Sequence, residues 1–213
     1  MSLELVIGPM FAGKTSALQS IIRRHEALGI KCIVFKPTRD SRYPHDAYIT
    51  SHDRVRVYAT AVNSLMSEFH SEYYQSLKLI VIEEGQFFDD LYDFVIRAVE
   101  VDGKHVVVGG LDGDRFRRPF GQILQLIPLA DRITKLTSFC KLCADGTPAL
   151  FSYSNTNSSE TIHIGGAESY IPVCRNHYIG LTTRVTAEDL PSPSSPRSTR
   201  LAPSERRPTV YPQ

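Results

Sequence analysis

Short, almost continuous apolar runs alternate with amphipathic segments along the first two thirds of the chain. The apolar runs read LELVIG, KCIVFKP, KLIVIEEG, HVVVGGL and RITKLTS. Strands that are apolar on both faces are typical of a parallel sheet buried between layers of helices. The pattern therefore predicts an α/β fold in which helices cover both faces of a parallel sheet.

Two of the intervening segments have helical periodicity. The segment KTSALQSIIRRHEALG has one apolar side, and Gly29 can close the helix. That side comprises Leu18, Ile21, Ile22, His25 and Leu28. The segment LYDFVIRAVEVDG predicts a second helix, with Asp89 and Asp90 as candidate N-terminal caps. Its apolar side comprises Leu91, Phe94, Val95, Ala98 and Val99.

Other stretches lack a sustained period. The polar stretch TRDSRYPHDAYITSHDR is rich in turn formers and predicts a long, mobile loop. After Phe139 the texture changes to short polar and aromatic runs without helical spacing, which indicates a second, small domain. The end of the chain is rich in Pro, Ser and Arg and predicts a disordered tail. The predicted units are residues 1–138, 139–180 and 181–213.

Composition restricts the partners and the compartment. The 213 residues carry 24 Lys and Arg against 23 Asp and Glu, a net charge of +1 that gives no overall field toward nucleic acid or membranes. The start, MSLELVIGPM, lacks the features of a signal peptide, and no apolar stretch approaches the length of a membrane span. We expect a cytoplasmic protein with no nucleic-acid or membrane partner, in which cysteines stay reduced.

A phosphate-binding motif lies between the first strand and the first helix. The segment GPMFAGKT matches GxxxxGK[ST], in which backbone N–H groups and a helix N-terminus surround phosphate oxygens. Lys14 is expected to reach the β and γ phosphates, and Thr15 to offer its hydroxyl to Mg²⁺. The predicted ATP and phosphate ligands are Gly8, Pro9, Met10, Phe11, Ala12, Gly13, Lys14 and Thr15.

An acidic pair, Glu83 and Glu84, ends the strand LIVI. A P-loop site needs an acid at the end of a neighbouring strand to help hold the metal. If strand geometry continues through both residues, their side chains point to opposite faces. One then faces the P-loop and Mg²⁺ and the other faces the phosphate acceptor, and spacing alone does not say which.

Four residues of the small domain have the spacing of a metal site. They read CxxC…CxxH, with each pair expected on a tight turn: Cys140, Cys143, Cys174 and His177. Three thiolates and an imidazole match a closed, structural Zn²⁺ site, whose binding free energy would help so core-poor a segment to fold. Cys32, inside the second strand, is interpreted as a core residue.

Several blocks together resemble one family, the type II thymidine kinases. The blocks are GPMFAGKT, EEGQFF (family form DEGQFF), GLDGDRFRRPFG, KLTSFCKLC and GGAESYIPVCRNHY, between residue 3 and about residue 179. The resemblance implies a RecA-like P-loop core and a zinc-ribbon-like domain with a lasso loop. It also implies transfer of the γ-phosphate of ATP to the 5′-hydroxyl of thymidine, with Mg²⁺ and structural zinc. A homotetramer or dimer inhibited by dTTP is the further implication.

The same resemblance assigns roles to individual residues. Glu84 corresponds to the general base, and Glu83 joins Thr15 at Mg²⁺. Asp40 and Arg42 correspond to a loop near the phosphates and acceptor, and residues 153–166 correspond to the lasso. The implied thymidine pocket comprises Met10, Phe87, Leu111, Phe120, Ser152 and Tyr170.

The chain departs from the family pattern at three places, one of which is the slightly different length of ADGTPALFSYS near the start of the lasso, where Ser152 corresponds to the family's Thr. Glu83 stands where the family usually has Asp, and Arg115, followed by Phe116, stands where it usually has an aromatic residue. Two other functions compete with the kinase hypothesis: a zinc-containing P-loop ATPase that acts on nucleic acid or a protein partner, and a non-catalytic binding relative. The absence of a basic stripe disfavours the first, and intact Lys14, Thr15 and Glu84 disfavour the second.

Overall fold

The computed structural model of the chain describes residues 1–38, 47–51, 54–154 and 169–188, with side chains described up to residue 183. Asp40 and Arg42 lie outside the described residues, as do most of the predicted lasso and the tail beyond residue 188.

Twelve strands and four α-helices follow one another within these ranges. The strands are β1 (Ser2–Ile7), β2 (Cys32–Pro37), β3 (Tyr48–Thr50), β4 (Arg56–Tyr58), β5 (Thr60–Val62), β6 (Leu79–Ile82), β7 (His105–Gly110), β8 (Arg132–Lys135), β9 (Ser138–Phe139), β10 (Pro148–Ala149), β11 (Phe151–Ser154) and β12 (Tyr170–Val173). The α-helices are α1 (Lys14–Glu26), α2 (Glu72–Ser76), α3 (Leu91–Ile96) and α4 (Arg175–Glu188). Short 3₁₀ helices span Met66–His70, Gly85–Phe87 and Ile123–Leu129, and a π-helical segment spans Arg97–Val101.

The central sheet has six strands in the order β5-β2-β6-β7-β1-β8, and every adjacent pair is parallel. The carboxyl ends of its strands therefore lie at one edge, where open α/β sheets bind their ligands. The phosphate motif follows β1 and the acidic pair follows β6, so both reach this edge. The predicted fold class is confirmed.

Alternation along the strands fills two separate cores. Leu3 and Leu5 of β1 pack on one side, in a cluster that includes α3 and Tyr74 of α2. Val6 packs on the other side with Leu18 and Ile22 of α1. Because successive side chains of a strand face opposite ways, an apolar run buries residues on both sides of the sheet.

Both predicted helices form, with differences at their ends. Gly29 adopts φ +70° after α1, as a closing glycine does, but Leu28 is 77% exposed and does not belong to the buried face. Asp90 occupies the N-cap position of α3 without capping it, because its carboxylate accepts hydrogen bonds from the Ser64 hydroxyl (2.6 Å) and the Met66 N–H (2.9 Å). The expected long helix becomes π-helical after Ile96.

The polar stretch predicted as a loop contains part of a hairpin. Strand β3 pairs antiparallel with β4, and Ile49 at its centre is buried against the α1 side of the sheet. The loop prediction was therefore wrong for residues 48–50. Tyr, Ile and Thr favour strands, and the buried Gln19 side chain of α1 donates to the carbonyls of Ile49 and Val55.

The small domain contains two two-stranded antiparallel sheets, β9 with β10 and β11 with β12. Helix α4 follows them, although the sequence predicted no helix in the domain and a disordered tail from about residue 181. The helix extends to Glu188, so the tail prediction was wrong for its first residues. Buried Cys174 and Tyr178 attach the start of α4 to this domain's own core. None of the helices in the described ranges combines the length and apolarity that spanning a bilayer requires.

Candidate active site

The phosphate loop joins β1 to α1 through backbone conformations that few side chains tolerate. Gly13 has φ +81° and Phe11 has φ +62°. Gly8 passes so close to the chain after β8 that a Cβ atom there would lie 2.4 Å from the Leu136 carbonyl oxygen. The first turn of α1, which is fully described, carries no acidic side chain of its own. The Lys14 ammonium donates to the Pro9 carbonyl (2.8 Å), which holds it against the loop.

Thr15 and Glu83 meet across the mouth of this loop. The Thr15 hydroxyl donates to a carboxylate oxygen of Glu83 at 2.6 Å. Glu83 is buried at the end of β6, and its backbone N–H donates to Phe35 of β2 (2.8 Å), which fixes the start of the turn. A hydroxyl and a carboxylate at this position are the oxygen ligands that Mg²⁺ accepts in P-loop proteins. The two predicted magnesium residues are therefore adjacent, and the longer side chain of Glu reaches Thr15 directly.

The backbone adopts a left-handed conformation at the second of the two consecutive glutamates. Strand β6 ends at Ile82, and Glu84 adopts φ 52° and ψ 45°. Opposite side-chain directions were expected if strand geometry continued through both residues, and that condition is not met because β6 ends before either glutamate. A non-glycine residue in this conformation costs roughly 1–2 kcal/mol. The Phe87 N–H donates to the Glu84 carbonyl (3.1 Å) and closes the turn.

Gln86, which the sequence analysis did not single out, lies in this turn and is buried. Its amide nitrogen donates to a Glu84 carboxylate oxygen at 2.6 Å, and its amide oxygen accepts from the Leu111 N–H at 2.9 Å. The sequence signal that could have singled out this residue is an amide side chain two positions after the acidic pair. The choice of partners needed the tertiary structure.

The predicted thymidine-pocket residues come from four parts of the chain, and the structure joins four of the six in two pairs. The rings of Phe87 and Phe120 meet edge to face, with centroids 5.5 Å apart. The Ser152 hydroxyl accepts from the Met10 N–H at 2.9 Å and so ties β11 to the phosphate loop. Leu111 follows β7 and contacts Gln86 through its backbone, and Tyr170 is buried at the start of β12.

A cavity of about 240 Å³ opens where the two domains meet. Its lining includes Pro9 of the phosphate loop, Ser152 of the small domain, and Asp112 and Lys135, whose charged groups are 2.9 Å apart. Both domains therefore contribute to one cleft beside the phosphate loop.

The loop after β7 is organised by buried Asp114. Its carboxylate accepts from the N–H groups of Phe116 and Arg118 (both 2.8 Å) and from the Arg118 side chain (2.9 Å). The guanidinium groups of Arg115 and Arg118 lie about 5 Å from the Phe116 ring centroid. Phe116, directly after this departure from the family pattern, is therefore packed against two arginines and is 43% exposed.

The small domain is attached to that loop by α4. The Tyr178 hydroxyl donates to the Arg115 carbonyl at 2.7 Å, and the Arg117 guanidinium lies 4.5 Å from the Tyr178 ring centroid. Tyr178 lies one residue after His177, so these contacts link the predicted metal site to the loop that carries Phe120.

The Cys₃His cluster has the geometry of a closed metal site. The ligand atoms of Cys140, Cys143, Cys174 and His177 all lie within 4.8 Å of one another. Sulfur to Nδ1 distances are 3.3–3.5 Å, and the Cys143 and Cys174 sulfurs are 3.8 Å apart. A tetrahedral zinc ion places sulfur and nitrogen ligands about 3.5–3.8 Å apart, so the residues fit zinc. The first pair lies on a turn as predicted, whereas the second pair lies at the start of α4.

The cysteines differ in acidity. Burial disfavours the Cys140 thiolate, but three backbone N–H groups that donate to its sulfur outweigh burial and lower its pKa to about 6. Burial and the hydrogen bond with Cys140 raise the pKa of Cys143 to about 11. A divalent cation among these sulfurs would stabilise the thiolates together, which is the chemistry that a structural site supplies.

A phosphate loop whose threonine contacts an acid on the next strand, followed by a Cys₃His module, defines a P-loop α/β nucleotide-binding protein with an attached metal-binding domain. The thymidine kinase family model matches residues 1–178, and the chain belongs to that family. It is 44% identical over 181 residues to a thymidine kinase of Oryza sativa subsp. japonica, an alignment that covers 83% of this chain and 66% of the rice protein. It is 41% identical to thymidine kinase a of Arabidopsis thaliana (84% of this chain, 75% of that protein). It is 38% identical to the thymidine kinase of Monkeypox virus (83% and 96%).

Proposed function

We propose that the protein transfers the γ-phosphate of ATP to the 5′-hydroxyl of thymidine and releases dTMP. The observation that carries the proposal is the turn after β6. In this turn Glu83 contacts Thr15 of the phosphate loop, while the next residue, Glu84, adopts a left-handed conformation and accepts a hydrogen bond from Gln86. Membership of the thymidine kinase family supports the choice of acceptor. The same comparisons do not favour a nucleic-acid-dependent ATPase.

The phosphate loop and the acidic pair divide the chemistry. The loop amides and Lys14 bind the ATP phosphates, while Thr15 and Glu83 would hold Mg²⁺, which neutralises charge on the β and γ oxygens when bound. Glu84 accepts the proton of the 5′-hydroxyl as the new P–O bond forms, while the bond between the γ-phosphorus and the β-phosphate oxygen breaks and ADP leaves. Phosphoryl transfer needs mainly alignment and charge neutralisation, so one oriented carboxylate is sufficient as the base.

The thymine base is proposed to bind between aromatic and small apolar side chains. The edge-to-face pair of Phe87 and Phe120 offers a flat wall, and Met10 and Leu111 border the phosphate loop and the Glu84 turn. Ser152, which contacts the phosphate loop, and Tyr170 are the proposed contributions of the small domain. Closure by residues 153–166 remains a prediction, as do contributions from Asp40 and Arg42.

Zinc in the Cys₃His cluster is proposed to be structural, because four protein ligands complete a tetrahedron and leave no open position for substrate. Inhibition by dTTP, assembly as a homotetramer or dimer, and a cytoplasmic location are further proposals. The first two rest on family resemblance, and the third on the sequence.

The acceptor is tested by incubating the purified chain with Mg-ATP and a panel of nucleosides. We expect monophosphate only from thymidine and deoxyuridine. ATP hydrolysis that nucleic acid stimulates, without any nucleoside monophosphate, would reverse the assignment.

The base is tested with Glu84→Gln, which removes the proton acceptor and little shape. We expect kcat to fall about 10²–10⁴-fold while thymidine binding, measured by calorimetry, changes by less than about threefold. Glu100→Gln, at an exposed acid of the π-helical segment Arg97–Val101, is the matched control and should retain turnover. Wild-type turnover in Glu84→Gln would exclude Glu84 as the base.

A further inference from the structure

The Gln86 side chain connects the two sides of the candidate active site. It is 3% exposed, and its amide bridges the Glu84 carboxylate (2.6 Å) and the Leu111 N–H (2.9 Å). The orientation of the amide follows from its partners. A backbone N–H can only donate, so the amide oxygen faces Leu111 and the amide nitrogen faces the carboxylate.

Two glycines keep the space that this residue occupies. A Cβ atom at Gly110 would lie 2.3 Å from the Gln86 amide oxygen, and one at Gly121 would lie 2.2 Å from the Gln86 carbonyl oxygen. Gly110 is the last residue of β7, and Gly121 directly follows Phe120 of the predicted pocket. The side chain of Gln86 is therefore enclosed by the end of the strand that leads into Leu111, and its backbone by the segment that follows Phe120.

We propose that Gln86 is a positioning residue: it holds the Glu84 carboxylate in the orientation for proton transfer and fixes it relative to Leu111. The proposal rests on the role of Glu84 given above. An amide is suited to this task because it donates a hydrogen bond without adding charge, so it orients the carboxylate while leaving it able to accept a proton. A lysine or arginine at the same place would form an ion pair and stabilise the ionised carboxylate more strongly.

The position also couples acceptor binding to the base. Leu111 is a predicted contact of the thymine base, and its backbone N–H is held by the same amide that holds Glu84. A displacement of Leu111, directly after β7, would therefore change the direction of the Glu84 carboxylate. A misplacement of about 1 Å in such an arrangement can cost about 10²-fold in rate.

The first test compares Gln86→Met with a matched control. Methionine keeps the length and burial but offers no hydrogen bond to either partner. We expect kcat to fall about 10–100-fold while the thymidine dissociation constant changes by less than about threefold. Gln19→Met is the control, because Gln19 is also a buried glutamine whose amide bonds the carbonyls of Ile49 and Val55. It should lose stability in urea without a comparable loss of kcat.

The second test is a double-mutant cycle with Glu84→Gln. If Gln86 acts through Glu84, adding Gln86→Met to Glu84→Gln should lower kcat by less than about threefold, because residues that act as a unit are not additive. A full, independent loss in the double variant would overturn the proposal. Activity lost in Glu84→Gln but retained in Gln86→Met would also overturn it, and would leave the proposed base intact. Turnover retained in Glu84→Gln would instead refute the proposed base.

The third test uses pH. Gln86→Glu keeps the shape and places a second carboxyl group against Glu84, and two carboxyl groups at hydrogen-bond distance share a proton. We expect this variant to be most active while the shared proton is retained and to lose kcat at higher pH, where wild type does not. A pH profile that parallels wild type would contradict contact between residue 86 and the base. Folding of each variant is checked by its urea midpoint.

Discussion

Gly121 offers a sharp test of how rigid the Glu84 turn is. Its φ is +59°, and a Cβ atom there would lie 2.2 Å from the Gln86 carbonyl oxygen and 2.9 Å from its carbonyl carbon. Ordinary van der Waals contact begins near 3.4 Å, so the Gly121→Ala methyl group overlaps backbone, which cannot rotate away as a flexible side chain can.

Two costs add in Gly121→Ala. An alanine in the left-handed region costs roughly 1–2 kcal/mol, and forcing an extra methyl into a packed site costs roughly 1–3 kcal/mol. The expected loss in the free energy of unfolding is therefore roughly 2–5 kcal/mol. Gly103→Ala is the matched control, because Gly103 has φ +65° and a Cβ atom there would meet nothing within 4 Å. It should lose only the conformational part, roughly 1–2 kcal/mol.

Urea unfolding with zinc present, followed by circular dichroism, measures both variants. The difference between them isolates the contact with Gln86, because the backbone conformations are closely similar. The smallest overpacking cost expected here is about 1 kcal/mol. If the two variants lose free energies of unfolding that agree within about 0.5 kcal/mol, the turn moves to accommodate the methyl group and is not rigid.

Two further predictions concern the stability of the two domains. The buried Lys104 ammonium donates to the carbonyls of Tyr74, Gln75 and Leu77 (3.1, 3.1 and 2.8 Å), so Lys104→Met should lower the free energy of unfolding by about 2–3 kcal/mol. Exposed Lys78→Met is its control and should change stability by less than about 0.5 kcal/mol in the same urea titration. Elemental analysis should find about one zinc per chain, and a chelator should open residues 139–188 to protease, with protection restored by added zinc. A metal-free chain whose small domain resists protease would contradict a structural zinc.

Local patterns were enough to predict most of the architecture. Continuous apolar strands between amphipathic segments indicated the parallel sheet, because a strand buried on both faces has apolar residues on both. The phosphate loop and the Cys₃His spacing were also readable, since each depends on residues close together in the chain. The structure agrees with them in the contact between Thr15 and Glu83 and in the cluster around His177.

The errors arose where distant parts of the chain supply the stabilising contacts. Strand β3 forms because Ile49 is buried on the α1 side of the sheet. The Asp90 side chain does not cap α3, because it accepts hydrogen bonds from Ser64 and Met66. Helix α4 has little periodicity of its own and is attached by Cys174 and Tyr178. The groups that Ile49 and Asp90 contact are too far away in sequence to leave a local signal, and Cys174 and Tyr178 pack with Cys140 and Ala149, which lie much earlier in the chain.

The acidic pair shows the division most clearly. The sequence by itself determined that two carboxylates follow a buried strand beside a phosphate loop. Only the tertiary structure decided how they separate: β6 ends early, Glu84 enters a left-handed turn, and Gln86 holds its carboxylate against Leu111. The physical reason is that a strained backbone conformation persists only where surrounding contacts offset its cost, and those contacts come from β7 and from the loop that ends at Gly121.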